Sequence, residues 1–256
     1  MKMVWASVLY LICPFVMANS YSNEVALRID KISQSYLGLP YIVDPLGEGE
    51  GYDKDPLFRF DGFDCVTYVE TVLAEALAGS NEQFLPILNQ IRYKNSQIDF
   101  KTRNHFTSID WIVNNQQIIK DITEDLFPQE HQISRTWIDR SAWFLRNHKM
   151  VVQENPKYSI LPYLSIEAVQ NNPDLLSRIP HGAIISIVRP NWNLKDKIGT
   201  NLDVSHQGFA ILKDDVLYFR HAGISAKQVV EEPLIQYLQK MTSVASVGGI
   251  NILEIR

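Results

Sequence analysis

The stretch FDGFDCVTYVE, residues 60–70, sets a cysteine directly behind an aspartate where a helical pattern begins. Thiol chemistry runs through the thiolate, and a helix N-terminus or a histidine partner can lower a cysteine from about 8.5 to roughly 3.5–7.5. From Cys65 onward, Val66, Val69, Val72, Leu73, Ala76 and Leu77 recur in steps of three and four. That spacing predicts a helix with one buried stripe, closed by Gly79. Asp64 has the short acceptor side chain of an N-cap, so Cys65 takes the first helical position. Unpaired amides and the macrodipole favour an anion there. The ordinary alternative for a free cysteine is a small buried core residue.

A nucleophile of this kind needs a base, and the chain has six histidines. His105, His131, His148 and His181 lie outside clear strands, the usual setting of a surface histidine. His206 opens the β-rich run HQGFAILK (206–213) and His221 closes VLYFRH (216–221). Asp214 and Asp215 form a tight turn between them, so the two runs read as an antiparallel hairpin. Depending on register, both imidazoles sit at one end of that hairpin. A cysteine on a helix facing two such histidines supplies a nucleophile, a base and an orienter.

The elements that position these residues can be read along the chain. Val25, Leu27, Ile29, Ile32 and Tyr36 predict a short helix ended by Gly38 and Pro40. DPLGEGEGYDKDP, residues 44–56, is a loop without the Gly-Lys-Ser/Thr of a phosphate cradle or the ligand spacing of a calcium loop. It reads as a mobile flap or a plain connector. A second helix is predicted over 84–91, and further helical signals fall near 109–115 and 142–147. The last third is strand-like, with GAIISIV (182–188) and GGINILEIR (248–256) beside the hairpin. Helices first and a sheet last predict an α+β fold. Without a linker, residues 21–256 read as one domain with a mostly helical elaboration around 80–180.

The N-terminus bears on the cysteine. Lys2 precedes a 13-residue apolar run from Val4 to Val16, and Val16-Met17-Ala18 offers small residues for cleavage. The run is too short to span a hydrocarbon core of roughly 30 Å. It predicts a secretory signal peptide over residues 1–20, with export to the periplasm or beyond. Cys13 raises a lipoprotein alternative, but Ile12 stands where a small residue should precede a lipidated cysteine. Removal of the leader leaves Cys65 alone, an odd thiol in a disulfide-permissive setting. The whole chain carries 24 basic and 29 acidic residues, net −5. That balance argues against nucleic acid or anionic lipid as the main partner. No later stretch predicts membrane insertion, and nothing fixes the oligomeric state.

GLPY (38–41), FDC (63–65), SHQGFAIL (205–212) and RHAG (220–223) resemble, in order, the motifs of the NlpC-type bacterial cell-wall cysteine hydrolases. RNHFTSIDWIVNN (103–115), IDRSAWF (138–144) and IPHGAIISIVRP (179–190) are similar to the N-acetylmuramoyl-L-alanine amidase-like branch of that superfamily. The resemblance implies a papain-like fold, with the cysteine at a helix N-terminus packed on an antiparallel sheet. It implies Cys65 as nucleophile, His206 as base and His221 as the residue orienting His206. Tyr41 would line the cleft, and Asp64 and Ser205 stand where relatives contact substrate, with Asp64 equally readable as a cap alone. Arg103, His105 and Trp111 would form part of a muropeptide cleft, against the alternative of a folded insert with a buried tryptophan. The implied substrate is a muropeptide or peptidoglycan, hydrolysed between N-acetylmuramic acid and L-alanine with no cofactor and no metal.

Departures from the pattern matter. Val66-Thr67 replaces a frequent Ser-Gly after the cysteine, the hairpin is longer than in many relatives, and His181 stands where an aspartate is common. Three other readings follow from the same residues. A stem-peptide endopeptidase would use the same triad, and a catalytically silent cell-wall binding protein would retain the fold alone. A zinc amidase is disfavoured because no His-Glu-x-x-His occurs.

Overall fold

The structure, a computed structural model, describes residues 14–256. As far as residue 13, the leader expected over 1–20 lies outside the described residues. The helix expected near 25–36 is the second half of α1 (Pro14–Ser35). The cysteine helix is α2 (Cys65–Leu77), followed by α3 (Asn81–Arg92). A π-helical turn, Thr107–Trp111, leads into α4 (Ile112–Asn114). Then come β1 (Ile119–Asp121), α5 (Thr123–Leu126), β2 (His131–Ile138), α6 (Arg140–His148), β3 (Lys157–Ser165) and α7 (Ile166–Asn171). The last third holds β4 (Ile184–Trp192), α8 (Lys195–Ile198), β5 (Leu202–Lys213), β6 (Val216–Gly223), β7 (Gln228–Pro233), α9 (Leu234–Met241) and β8 (Gly249–Ile255).

The strands form one sheet in the order β2-β3-β8-β4-β5-β6-β7, each neighbouring pair antiparallel, with β1 beside β8. The fold is α+β. Successive residues of β4 point to opposite faces, and both faces are covered. Ile184, Phe209 and Leu253 pack against Val25, Val69 and Leu73 of α1 and α2. Ile185, Ala210 and Phe219 pack against Val169 of α7 and Leu234 and Leu238 of α9. This is why GAIISIV is a continuous apolar run and does not alternate. Each fully buried large apolar side chain contributes roughly 1.5–3 kcal/mol, so the sheet is anchored between its two helical layers.

Around 80–180 the chain carries α3 to α7, and between these helices β2 and β3 extend the sheet as a long antiparallel pair that the sequence did not suggest. Their hydrophobic pattern is mixed. Ser134, Thr136 and Ser159 are buried, while Trp137, Tyr158 and Ile160 are exposed. Hydrogen bonds, including that from Ser159 to Asp203, share the buried face with Ile138, Leu161 and Tyr163, so apolar periodicity gives no continuous inward stripe to read. β7 was also absent from the expected strands, as QVVEEP has only two β-branched residues before its acids. Around 109–115 the helical signal corresponds to the π turn and α4, and around 142–147 to α6.

The β3–β8 pairing leaves no room for a side chain at Gly249, where a Cβ would collide with the Leu164 carbonyl. Gly249→Ala is therefore expected to lower stability by about 1–3 kcal/mol through backbone displacement. Chemical denaturation of the two proteins checks this, and an unchanged midpoint would contradict the tight crossing.

Candidate active site

Asp64 fixes where α2 begins. Its Oδ1 accepts from the Thr67 N–H at 2.8 Å, and its own N–H donates to Thr67 Oγ1 at 3.0 Å, a reciprocal capping box. Cys65 is thereby held as the first helical residue, half-buried, with the backbone N–H groups of Gln207, Cys65 and Val66 directed to its sulfur. These amides favour the thiolate, as the sequence predicts. Burial opposes them more strongly, with the Asp64 charge adding to it, and the thiol is pushed up to about 12. The helix terminus therefore favours the anion as the sequence suggests, while the desolvation that comes with packing acts against it and is the larger influence.

β5 and β6 bring the two histidines together. Their turn, Asp214-Asp215, has φ of 47° and 62°, the left-handed pair that a tight hairpin needs. Phe209 faces Arg220 in this register, so His206 and His221 sit two residues out of step on the same face. Gly208 makes the approach possible, since a Cβ there would lie 2.6 Å from the Arg220 carbonyl oxygen and 2.7 Å from the His221 Cβ. His206 Nε2 and His221 Nδ1 are 2.7 Å apart, joined by a hydrogen bond. The Phe219 ring stacks on His221 at 4.5 Å, and Tyr237 of α9 lies beside both imidazoles. Burial holds His206 down to about 3, helped by His221. Burial and then the Lys240 charge hold His221 down to about 4. Both rings are neutral at physiological pH.

Cys65, Ser205 and His206 line one cavity of about 130 Å³. A neighbouring cavity of about 160 Å³ is lined by Asp64, Glu70, Arg103 and Trp111, and Val66, His105 and Thr107 border both. Tyr41 lies close enough to Cys65 and Asp64 for their charges to add to burial in raising its hydroxyl. Arg103 is held by the 44–56 loop, donating from Nε to Glu48 Oε1 at 2.9 Å and pairing with Asp53 at 2.7 Å. That loop is thus tied to the body. His105 is half-buried against Phe100, Trp143 and Phe144, with Nε2 2.7 Å from the Phe100 carbonyl. Trp111 is a core residue whose indole donates to Glu70 at 3.1 Å. His181 stands elsewhere, paired with Asp30 at 3.7 Å. Larger hollows at Phe58, Phe60 and Phe84 and beside α1 bring no cysteine and histidine together.

Three side chains at the site escaped the sequence reading. Asp203 lines the cysteine cavity and is buried, its oxygens accepting from Ser108 and Ser159. Its place two residues before Ser205 was the available signal. Glu232 and Tyr237 reach the histidines from β7 and α9, and no local pattern marks them. Among the described residues no group of three or more His, Cys, Asp and Glu is arranged to hold a metal ion.

The fold is α+β on an antiparallel sheet, and it sets Cys65 and His206 on one cavity with His221 hydrogen-bonded behind His206, an arrangement that fits a family of amide hydrolases. The chain belongs to that family, AmiA-like, N-acetylmuramoyl-L-alanine amidase-like, whose model matches residues 31–246. It is similar to a Legionella pneumophila protein of the DUF1460 family, at 37% identity over 94% of this chain and 92% of that one, TM-score 0.86. It is also similar to an N-acetylmuramoyl-L-alanine amidase from Bacteroides uniformis, at 27% identity over 91% and 99% of the two chains, TM-score 0.72. No curated protein matches the sequence.

Two measurements follow from the electrostatics. Alkylation of Cys65 in the resting protein should accelerate only at alkaline pH, with a midpoint above the ordinary thiol value of about 8.5. A midpoint below neutrality would contradict the buried, protonated thiol. The histidines act on stability in the opposite direction. The folded protein excludes protons that the unfolded chain accepts, so their contribution is complete above about pH 6.5 and is lost as pH falls towards about 3 and 4. Removing one ring, as in His206→Asn, should make the acid limb of stability shallower by up to about 1.4 kcal/mol per pH unit. An acid limb of unchanged slope would sink this assignment.

Proposed function

We propose that this protein is a cysteine-dependent N-acetylmuramoyl-L-alanine amidase of the NlpC-type, papain-like group, exported to the periplasm or beyond after cleavage of its leader. The observation that carries the reading is His206 lining the same cavity as Cys65 at a helix N-terminus, with His221 hydrogen-bonded to His206 from behind. The AmiA-like family and the likeness to the Bacteroides uniformis amidase support the substrate class, a peptidoglycan-derived fragment.

The proposed reaction is acyl transfer between two neutral partners. His206 Nε2 is engaged by His221, so Nδ1 is the nitrogen that takes the thiol proton. Because the thiol and imidazole both resist ionisation at rest, proton transfer accompanies attack and does not precede it. The sulfur bonds to the lactyl carbonyl carbon, and the oxyanion is stabilised by amides at the head of α2, including that of Cys65. The tetrahedral adduct collapses as the peptide amine leaves with the proton from His206. Water, deprotonated by the same ring, then hydrolyses the thioester to a carboxylic acid and returns the thiol.

Mass spectrometry of products from a panel of purified muropeptides tests the reading. The expected products are the free sugar acid and an intact stem peptide beginning with L-alanine. Cleavage inside the stem would replace the amidase with an endopeptidase, and no cleavage would leave a binding protein. Cys65→Ala should keep the fold and lose activity by about a thousandfold or more. His221→Ala should lose less than His206→Ala, since a misoriented base remains. Wild-type activity in His221→Ala would remove that residue from the site.

A further inference from the structure

We propose that Glu232 is a positioning residue that sets the tautomers of both histidines, so that His206 presents an unprotonated nitrogen to Cys65. The inference rests on the reading of His206 as the base.

A neutral imidazole carries one N–H, and the partner of each nitrogen decides where it resides. The 2.7 Å contact between His206 Nε2 and His221 Nδ1 admits two arrangements. If His221 is protonated at Nδ1, His206 accepts at Nε2 and carries its proton at Nδ1, where it has no capacity as a base. If His221 is protonated at Nε2, its Nδ1 accepts from His206 Nε2–H, and His206 Nδ1 is free. The pair alone does not choose between them.

Glu232 supplies the bias. Its Oε1 stands 3.6 Å from His221 Nε2, too long for a hydrogen bond but within ion-pairing range. Among the described residues it is the one carboxylate in such range of either ring, and His221 Nε2 has no hydrogen-bond partner there. Charge–dipole attraction in a buried setting favours the N–H on the nitrogen that faces the carboxylate. Two elements hold Glu232 in place. On β7 it is paired in register with Phe219, whose ring stacks on His221. From α9, Lys240 binds its other oxygen. Lys240 also offsets the carboxylate charge, so His221 remains a neutral acceptor and does not draw in a second proton. Tyr237 of the same helix closes the remaining side of the ring.

The test is long-range proton–nitrogen NMR of the purified protein labelled with 15N-histidine. Both His206 and His221 should be protonated at Nε2 and unprotonated at Nδ1. In Glu232→Ala, a population of His221 protonated at Nδ1 should appear, and kcat should fall about tenfold with KM unchanged. Glu232→Gln keeps the shape, removes the charge and should shift the populations in the same direction by less. Wild-type His221 protonated at Nδ1 would overturn the proposal. Tautomers unchanged in both variants would also overturn it, even with lower turnover, since that is the mark of a merely structural role. A wild-type protein with the expected tautomers that hydrolyses no muropeptide would sink the amidase reading and leave the positioning role standing.

Discussion

The hydrogen bond between His206 and His221 exists only in one strand register. The residues lie two positions out of step on adjacent antiparallel strands, a diagonal that a long ring can bridge. A slip of one residue would send the imidazole of one strand to the opposite face. The register is held by the Asp214-Asp215 turn at one end and by the close approach at Gly208 at the other. The two helical layers then make it permanent, because Phe209 and Phe219 are buried on opposite sides of the same hairpin. The site is thus an output of sheet packing as much as of its own side chains.

The same packing sets the protonation state. Packing of the two imidazoles against Phe219 and Tyr237, and desolvation of the thiol, cost each its charged form, and the amides around the sulfur recover only part of that for the thiol. Such a site stores little ionic character before substrate arrives. Charge develops during the reaction, where fixed amides around the sulfur are of most use.

Beyond the triad, buried ion pairs fasten the walls of the cleft. Arg103 gathers Glu48 and Asp53 from the acidic loop, and Arg92 pairs with Glu70 at 3.2 Å while donating to the Leu57 carbonyl at 2.8 Å. Glu70 in turn accepts from Trp111. A loop that composition reads as a mobile flap or a plain connector is therefore pinned to Arg103 and to the end of α3 through Arg92 and Tyr93. Arg103 and Trp111 line the cleft while engaged in these contacts.

Residues close in sequence determined their own part of this protein. The cap at Asp64, the stripe that makes α2 and the two-aspartate turn involve contacts within a few positions, so periodicity and side-chain type suffice to read them. Strands β2 and β3 were hard to read because buried Ser134, Thr136 and Ser159 interrupt the apolar stripe of Ile138, Leu161 and Tyr163 on their inner face. Local pattern also shows only one of the influences on the thiol. It registers the helix terminus beside Cys65 but not the desolvation imposed by the sheet, and the second effect is larger. Glu232, Lys240 and Tyr237 belong to elements that follow the histidines and fold back beneath them. Proximity across a sheet depends on strand order and register, which no window of sequence contains, so only the tertiary structure decided which charges surround the imidazoles.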